Sequence, residues 1–524
     1  MLLGMSPKKE YGDFQTPDAL AKKVVTLVGK LYGSPRVVIE PTAGLGAFLQ
    51  AAADHWGARA DYIGYEINPE YVDRARTRLA DHRAHIHRCD FFTEDWKRHL
   101  ANVKHRRLLV LGNPPWVTNS DLGQMGGTNL PAKSNILGLR GLDARTGKSN
   151  FDIAEWMLLR LLDALPPEGA MAMLCKTMTA RKVLRHIWKN GEGREGARLF
   201  VIDAKAHFNV AVDACLFYVT GARTDERVAQ IYPDLDTLGT PTRFGLIDGD
   251  LVSDIDAYQA NRGLDGGTSL YTWRSGIKHD ASSVMEFARA GDKLVNGLGE
   301  SVTIEREHVF PLLKSSDLGN GRTVIRRAVL VTQRHTGDET TTIRKSAPQT
   351  WDYLVQHGKL LDSRKSSIYV DRPRFSIFGV GPYSFAPWKV AISGLYKNLS
   401  FVVVPPCDDR PVMVDDTCYF IGCQSRDEAE LLCNLLSTTE ARTFLNSLIF
   451  TDSKRPVTID VLRRLSFVEL ARAHGKLDEL ERYVKGVRAE TARQTQMVLV
   501  MEPRKIYRTR GASRIAPKRG ARKR

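Results

Sequence analysis

The sequence has few of the features that mark membrane, secreted or zinc-binding proteins. Its 524 residues contain no apolar run of about 18 residues, so we expect no membrane-spanning helix. The first ten residues lack the apolar core of a secretory signal peptide. The seven cysteines are scattered without a Cys-x-x-Cys pair, which indicates reduced thiols rather than disulfides or a zinc site. These absences predict a cytoplasmic protein that does not associate with membranes.

Acidic side chains are scarce relative to basic ones. The chain has 76 Lys and Arg residues against 60 Asp and Glu residues, a net charge of +16 and a pI of about 9.5, which favours a polyanionic partner. Residues 504–524 contain ten basic side chains and no acidic one, and without them the net charge falls to +6. This tail has little to bury and is predicted to be disordered. It could contact nucleic-acid phosphates of any sequence, or it could be an inert extension.

The central pattern of the chain is an apolar run that ends in a glycine and a proline pair. Residues 108–111 predict a buried strand, Gly112 ends it, and the prolines that follow prevent a helix or strand from continuing. Asn113 is therefore expected on a stiff turn at the carboxyl end of a strand, where open α/β sheets bind ligands. The Asn113 amide oxygen and the Pro114 carbonyl can accept hydrogen bonds from one amino group, and Trp116 offers a flat ring. The pattern suits an amino group on a heterocycle, and it also fits a plain strand-ending turn.

A glycine-rich turn lies upstream, between a predicted strand at 37–39 and a predicted helix at 47–55. Gly44 and Gly46 let the backbone approach a ligand without an intervening side chain, although a Gly-x-Gly pair also occurs in plain turns. Glu66 ends the next predicted strand, 20 residues after Gly46. Nucleotide-binding folds place an acid there to accept hydrogen bonds from ribose hydroxyls.

Two further residue pairs stand at the ends of predicted elements. Asp90 and Phe91 follow the third predicted strand, where an acid can bind the amino group of an adenine while the aromatic side chain stacks on its ring. Asp90 could equally cap a helix. Near the amino terminus, Thr16 is predicted to cap a helix that has Pro17 at its first position.

Taken in order, these patterns resemble the gamma class of amino-methyltransferases, the N6-adenine DNA methyltransferases of restriction–modification systems. The matching residues are Thr16-Pro17, Glu40-x-x-x-Gly44-x-Gly46, Glu66, Asp90-Phe91 and Asn113-Pro114-Pro115-Trp116. Trp116 replaces the commoner Tyr or Phe of the family and keeps a flat ring. The resemblance covers residues 11 to about 220 by motif and the rest more loosely. It implies a Rossmann-like class I methyltransferase domain, α/β with a mixed, mostly parallel sheet, followed by a separate α+β target-recognition domain.

The resemblance also implies the cofactor S-adenosylmethionine. The cofactor would lie over the glycine turn, with Glu66 at its ribose, Asp90 and Phe91 at its adenine, and Thr16 at its methionine end. The full set of residues expected at the cofactor is Thr16, Glu40, Pro41, Ala43, Gly44, Gly46, Glu66, Asp90, Phe91 and Asn113.

The implied chemistry acts on an adenine flipped out of the duplex. Asn113 and the Pro114 carbonyl would accept from its N6 amino group and aim the nitrogen lone pair at the methyl group. Trp116 and, by position, Phe208 would stack on the base, although Phe208 could also be a core residue at a hairpin. No metal is needed in this scheme. The expected catalytic motif is Asn113, Pro114, Pro115 and Trp116.

Changes in composition along the chain predict its domains. Residues 117–150 form a long Gly-, Asn-, Ser- and Lys-rich stretch, which predicts a mobile lid or DNA-contacting loop. Helices are predicted at 426–450 and 460–492, and Lys176 stands where many relatives have proline. The predicted regions are a catalytic domain at 1–222, a connecting segment at 223–270, a target-recognition domain with C-terminal helices at 271–492 and a basic tail at 493–524.

The implied partner is double-stranded DNA, with any cleavage supplied by a separate cognate restriction endonuclease. The protein is expected to be a monomer, associated with DNA in the cytoplasm of a bacterium or archaeon. A protein-glutamine methyltransferase also uses Asn-Pro-Pro-aromatic, but the long basic region after Tyr271 disfavours so small a target. The intact Asn113, Glu40 and Glu66 disfavour a non-catalytic DNA-binding subunit. No persuasive Asp…Glu-x-Lys cluster supports a fused nuclease.

Overall fold

A computed structural model describes the chain in five stretches. The described residues are 14–103, 106–117, 152–266, 270–291 and 293–484. Most of the predicted loop at 117–150 and the whole basic tail lie outside them. The described residues up to Ser466 form one compact unit, and those from Phe467 onward belong to a second.

A ten-stranded sheet forms the centre of the first unit, in the order β12-β11-β10-β7-β8-β5-β4-β1-β2-β3. Strands β3, β2, β1, β4 and β5 are parallel, and β8 runs antiparallel between β5 and β7. Strands β6 (Gly193–Arg194) and β9 (Arg223–Thr224) form a separate ribbon. The ten strands are β1 (Val37–Glu40), β2 (Asp61–Glu66), β3 (Ala84–Arg88), β4 (Leu108–Gly112), β5 (Ala170–Lys176), β7 (Arg198–Ile202), β8 (Ala214–Thr220), β10 (Val228–Tyr232), β11 (Thr242–Ile247) and β12 (Asp250–Val252).

Helices cover both faces of this sheet, so its central strands are apolar on both sides. In β4, Leu109 and Leu111 join a core with α1, α2 and α3, whereas Leu108 and Val110 join a core with α4, α5 and α6. This alternation follows the two-residue period of a strand. The arrangement confirms the predicted Rossmann-like methyltransferase fold. The helices of this part are α1 (Asp18–Tyr32), α2 (Ala47–Trp56), α3 (Pro69–Arg78), α4 (Trp96–Ala101), α5 (Ile153–Ala164), α6 (Thr177–Lys189), α7 (Ala204–Phe208) and α8 (Ile255–Ala260).

The predicted connecting segment at 223–270 differs from expectation. Strand β10 pairs parallel with β7, and β11 and β12 continue the same sheet as antiparallel strands. These strands approach an edge of the sheet and leave many side chains half-exposed or exposed, which explains their weak hydrophobic pattern. The sheet of the catalytic part therefore extends to Val252.

The region after Tyr271 is α+β, as predicted. Its six-stranded sheet has the order β16-β15-β14-β18-β17-β21, and its four-stranded sheet has the order β13-β22-β19-β20. The strands are β13 (Arg274–Ser275), β14 (Glu286–Ala290), β15 (Lys293–Asn296), β16 (Ser301–Val302), β17 (Val309–Leu313), β18 (Arg327–Leu330), β19 (Trp388–Ser393), β20 (Val402–Val404), β21 (Met413–Val414) and β22 (Cys418–Cys423). The α-helices are α9 (Ser282–Met285), α10 (Ser315–Gly319), α11 (Ile343–Ser346), α12 (Pro348–Gln356), α13 (Gly358–Asp362), α14 (Arg426–Leu436), α15 (Thr439–Asn446) and α16 (Ile459–Arg464). Short 3-10 helices occur at Gly57–Arg59, Arg262–Leu264, Arg306–His308, Thr340–Thr342, Ser367–Tyr369 and Pro382–Phe385.

The two long C-terminal helices that the sequence predicts are both broken. The first divides into α14 and α15, because the Thr438 hydroxyl accepts from the Ala441 N–H and starts a new helix. The second is interrupted after α16, where the Ser466 N–H donates to the Leu264 carbonyl. In the second unit, α17 (Phe467–Ala473) is followed by further helical residues at 477–484. Within the described stretches, no helix combines the length and apolarity needed to span a bilayer.

Candidate active site

The glycine turn between β1 and α2 requires glycine for its backbone shape. Gly44 and Gly46 have φ values of 50° and 77°, in the left-handed region that side chains disfavour. A Cβ atom on Gly44 would lie 2.6 Å from Oε1 of Gln15. That oxygen accepts a hydrogen bond of 3.0 Å from the Leu45 N–H. Gln15 therefore holds the turn, a role that the sequence did not predict.

Glu66, one of the predicted cofactor-binding acids, lies at this turn. Glu66, at the end of β2, accepts hydrogen bonds of 2.8 Å from the N–H groups of Gly44 and Asn68. Pro41 and Ala43, which precede Gly44 in the chain, are buried, and the Ala43 N–H donates to the Tyr65 carbonyl. Strands β1 and β2 thus bring Glu66 onto the glycine turn, as adjacent parallel strands place their carboxyl ends side by side.

Glu40 is a buried carboxyl group next to the turn and to the end of β4. Burial raises the pKa of Glu40 well above its usual value, the Leu49 N–H lowers it, and the charge of Glu66 raises it further. One carboxyl oxygen, Oε2, is buried and finds no hydrogen-bond partner among residues that the structure describes. A Cβ atom on Gly112 would lie 3.5 Å from Cγ of Glu40, so this acid is close to the Asn113 turn.

Asp90 and Phe91 form a turn whose aromatic ring faces the core. The Asp90 carboxylate accepts from the Phe92 N–H at 2.9 Å, so it caps a turn rather than a helix. The Phe91 ring is buried and stacks on Trp96, with centroids 4.6 Å apart. Phe92 packs instead on Trp156. Contact of Asp90 and Phe91 with an adenine stays a prediction.

Hydrogen bonds orient the Asn113 amide at the end of β4. Its Nδ2 donates to the Phe14 carbonyl at 2.9 Å and to Oγ1 of Thr16 at 3.3 Å. Both partners accept hydrogen bonds, so they fix the amide nitrogen on their side and the oxygen on the other. The Asn113 Oδ1 atom is buried and has no hydrogen-bond partner within the described stretches. Of the two prolines that follow, Pro114 is buried and Pro115 half-buried.

The role of Thr16 differs from the predicted helix cap. Helix α1 starts at Asp18, its N-cap residue is Pro17, and no side chain caps it. Pro17 has extended backbone angles, so it precedes the helix instead of forming its first turn. This leaves the Thr16 hydroxyl available to the Asn113 amide, which places Thr16 at the site by a different contact from the predicted one.

Three aromatic rings meet beside Asn113. Trp116 is 5% exposed, and its ring centroid lies 5.1 Å from that of Phe208 and 5.9 Å from that of Phe14. The Trp116 Nε1–H donates to the Leu174 carbonyl at 3.4 Å. The structure therefore brings Trp116 and Phe208 together, as the family pattern implies. Phe14 completes the group, and only its position beside Gln15, Thr16 and Pro17 could have suggested it.

The sequence did not predict an ion pair between Asp152 and Lys176, which lies close to the chain segment after Trp116. Oδ2 of the buried Asp152 accepts from Nζ of Lys176 at 3.1 Å and from the Thr179 hydroxyl at 3.2 Å. Oδ1 of Asp152 accepts from the Ala154 N–H at the start of α5. The neighbouring Ile153 N–H donates to the Val117 carbonyl. The pair thus anchors the chain that follows Trp116.

No protein-family model matches the chain. The fold is similar to that of the Type IIL restriction-modification enzyme MmeI in complex with DNA, with a TM-score of 0.49 and 14% identity over 90% of this chain and 72% of that one. It is also similar to the type I restriction-modification methyltransferase subunit from Streptococcus thermophilus, with a TM-score of 0.31 and 19% identity over 42% and 48% of the two chains.

In sequence, the chain is similar to the Type II methyltransferase M.NspV from Nostoc sp. (strain ATCC 29411 / PCC 7524). The two are 42% identical over 471 residues, which cover 89% of this chain and 98% of the relative. A matched span of 471 residues is too long to lie within the catalytic part alone, so it includes much of the region after Tyr271. The chain therefore belongs to the family of Type II methyltransferases of restriction–modification systems.

Proposed function

We propose that this protein is a site-specific DNA adenine-N6 methyltransferase, the modification enzyme of its restriction–modification system. The observation that carries the proposal is the Asn113 amide. Its nitrogen is held by two acceptors, whereas its buried Oδ1 has no hydrogen-bond partner among the described residues. An unpaired buried acceptor is costly unless a ligand satisfies it. The amino group of a flipped adenine has the donor that this oxygen lacks.

Asn113 and Pro114 would act on the amino group as paired acceptors. The N6 amino group has two hydrogens, and the Asn113 Oδ1 and Pro114 carbonyl could each accept one. These bonds draw the nitrogen lone pair out of conjugation with the ring and aim it at the methyl donor. Because Thr16 and the Phe14 carbonyl already orient the amide, little reorganisation is needed at the reaction step.

The residues around the glycine turn fit S-adenosylmethionine. When bound, this cofactor supplies an electrophilic methyl group. Gly44 and Gly46 adopt the left-handed backbone that shapes this turn, and Glu66 accepts from the Gly44 N–H on the same turn. The unpaired Oε2 of Glu40 is a suitable acceptor for the ammonium group at the methionine end, whose positive charge would favour the ionised carboxylate. Asp90 and Phe91 are proposed to lie at the adenine.

Trp116 and Phe208 would hold the flipped base. Because Trp116 is 5% exposed, a base can reach its ring only after a neighbouring ring moves aside. Phe208 is half-buried at the end of α7 and precedes Asn209, whose φ of 57° turns the chain sharply. We infer that Phe208 moves when the base enters and then contacts its edge.

Double-stranded DNA is the proposed substrate, with a separate restriction endonuclease as the matching nuclease. The +16 net charge and the α+β region after Tyr271 support a large anionic partner. The protein would act as a monomer in the cytoplasm.

The test is transfer of a tritiated methyl group from S-adenosylmethionine to duplex DNA of mixed sequence, followed by nucleoside analysis. We expect the label on N6-methyladenine. Label on cytosine would contradict the adenine assignment, and label on protein instead of DNA would support the glutamine-methyltransferase alternative.

A further inference from the structure

Three arginines of the region after Tyr271 lie at one end of neighbouring strands in the six-stranded sheet. Strands β17 and β18 are antiparallel, with Val309 opposite Leu330, and β21 is parallel to β17. The residues that precede β17, follow β18 and precede β21 therefore lie at the same end of these three strands. The residues at these positions include Arg306, Arg334 and Arg410.

Two of the guanidinium groups lie on a pair of aromatic rings. Phe310 and Phe385 meet edge to face, with centroids 5.4 Å apart. The Arg334 guanidinium lies 4.3 Å from the Phe385 centroid, and the Arg410 guanidinium lies 4.3 Å from that of Phe310. Cation–π contacts of this kind hold a guanidinium in place and leave its N–H edge available to a ligand.

The Arg410 side chain is also held by the chain that leads into β17. Its Nη1 donates to the Arg306 carbonyl, and its Nη2 donates to the Glu307 carbonyl at 3.3 Å. Both terminal nitrogens therefore already give a hydrogen bond. Such a side chain presents positive charge to a ligand but not a free two-pronged fork for a base edge.

In the described part of the chain, no carboxylate neutralises these two side chains. Among the described residues, neither Arg334 nor Arg410 has a side-chain ion pair within 4.0 Å. Nearby acids have other partners, since Asp338 accepts from the Arg334 and His335 N–H groups and Asp408 pairs with Arg289. Burial lowers the pKa of Arg410, and the charges of Arg306 and Arg334 lower it further, with only Glu307 opposing them. An anion at this end of the strands would relieve the repulsion.

We propose that Arg334 and Arg410, held on Phe310 and Phe385, bind phosphates of the substrate DNA backbone. The inference rests on the proposed function and adds a phosphate-binding site in the region after Tyr271. Backbone phosphates accept hydrogen bonds from guanidinium groups whatever the base sequence, so this site would position the duplex rather than read it.

The first experiment measures binding of a fluorescent mixed-sequence duplex to the full-length protein over a range of salt concentrations. The slope of log affinity against log salt should become shallower by about 1 for each of Arg334→Gln and Arg410→Gln. Affinity should fall about 10-fold for each, because hydrogen bonds to charged groups contribute on that scale. Arg374→Gln is the matched control, since Arg374 also lies on an aromatic ring, Phe375, but pairs with Asp362 at 2.7 Å. Its slope should stay unchanged.

A second experiment needs no substitution and covers the case in which the variants do not fold. Wild-type protein is modified with an arginine-selective dicarbonyl reagent, with and without the duplex, and mapped by mass spectrometry. DNA should protect Arg334 and Arg410 but not Arg374. Equal modification with and without DNA would overturn the proposal.

The remaining outcomes separate this inference from the proposed function. If wild-type protein binds and methylates DNA but the variants keep its salt slope, the phosphate site is wrong and the methyltransferase assignment stands. If a variant methylates additional sequences in the DNA of expressing cells, the arginine reads a base, which also contradicts the proposal. If wild-type protein neither binds nor methylates DNA, the proposed function itself fails.

Discussion

At the residue scale, the site depends on two buried oxygens that have no hydrogen-bond partner in the part of the chain that the structure describes. The amide nitrogen of Asn113 donates to the Phe14 carbonyl and to the Thr16 hydroxyl, and this orients the amide oxygen to the other side. There, Oδ1 meets no hydrogen-bond donor of the described residues. Oε2 of Glu40 is left free in an environment that disfavours its charged form. The two atoms are expected to meet different ligands, and single substitutions can distinguish their roles.

Replacing Asn113 with alanine should reduce the rate of methyl transfer by about 100- to 1,000-fold, the usual cost of losing one positioned electrostatic contact. Thr16→Val is the matched control, because it removes one acceptor from Nδ2 but leaves the Asn113 oxygen in place. Its effect should be smaller. Single-turnover transfer of a tritiated methyl group measures both rates. Full activity in Asn113→Ala would show that the amide does not bind the reacting base.

Glu40 should make the stability of the cofactor-free protein depend on pH. Burial raises its pKa above the usual 4.5, so the folded state binds the proton more tightly than the unfolded chain. This contribution is complete below the unfolded pKa and is lost as the pH rises through the folded one. Glu40→Gln is neutral at every pH and should gain stability relative to wild type as the pH rises.

Denaturant unfolding of both proteins from roughly pH 4 to 8, without cofactor, measures this difference. Parallel pH profiles would mean that Glu40 does not titrate differently on folding. Calorimetry on the same two proteins adds a functional readout, because Glu40→Gln should bind S-adenosylmethionine more weakly than wild type does.

At the element scale, an ion pair joins the end of β5 to the start of α5. Lys176 is the last residue of β5, and Asp152 is the N-cap residue of α5. The Thr179 hydroxyl donates to the same carboxylate, and the Ile153 N–H next to Asp152 donates to the carbonyl of Val117, the last described residue before 118–151. The residue that departs from the family pattern, Lys176, therefore has a local structural partner.

Lys176→Met should destabilise the fold by about 1–3 kcal/mol, because it removes the cationic partner of a buried carboxylate. Lys23→Met is the control, since Lys23 and its partner Asp236, 3.0 Å away, are both exposed. Its effect should be below about 1 kcal/mol. Urea unfolding compares the two variants. Equal losses of stability would mean that the Asp152–Lys176 ion pair stabilises the fold no more than an exposed ion pair does.

At the scale of the whole molecule, the chain returns to the catalytic sheet after the region that begins at Tyr271. The N–H groups of Ser253 and Asp254, next to β12, donate to the Ser447 carbonyl. Arg181 in α6 forms a buried ion pair with Asp452. These contacts therefore attach the C-terminal end of the region after Tyr271 to the catalytic part.

Deleting the basic tail at 504–524 should weaken DNA binding without changing the methylated sequence. The tail lies outside the described residues, so the prediction rests on its ten basic side chains and its lack of acids. Such charges neutralise phosphates of any sequence, and the slope of log affinity against log salt should become shallower. Titrations of full-length and truncated protein measure the change. An unchanged slope would mean that the tail does not contact DNA.

The sequence by itself determined the features that short-range chemistry controls. Gly44 and Gly46 permit backbone angles that other residues disfavour, and two prolines force a turn after β4. Hydrophobic runs located the central strands of the catalytic sheet because those strands are buried on both faces. Local patterns of this kind also sufficed to suggest the methyltransferase family.

Only the tertiary structure decided which distant residues complete the site. Phe14, Gln15 and the Asp152–Lys176 pair act through partners far away in the sequence, and no local pattern encodes such partners. The same reason explains β10 to β12, whose half-exposed edge position weakens their pattern, and the break after α16, where backbone pairing with Leu264 replaces the helix. Each of these features depends on a contact between groups that lie far apart in the sequence. Such a contact forms, and contributes its free energy, only when the chain has folded.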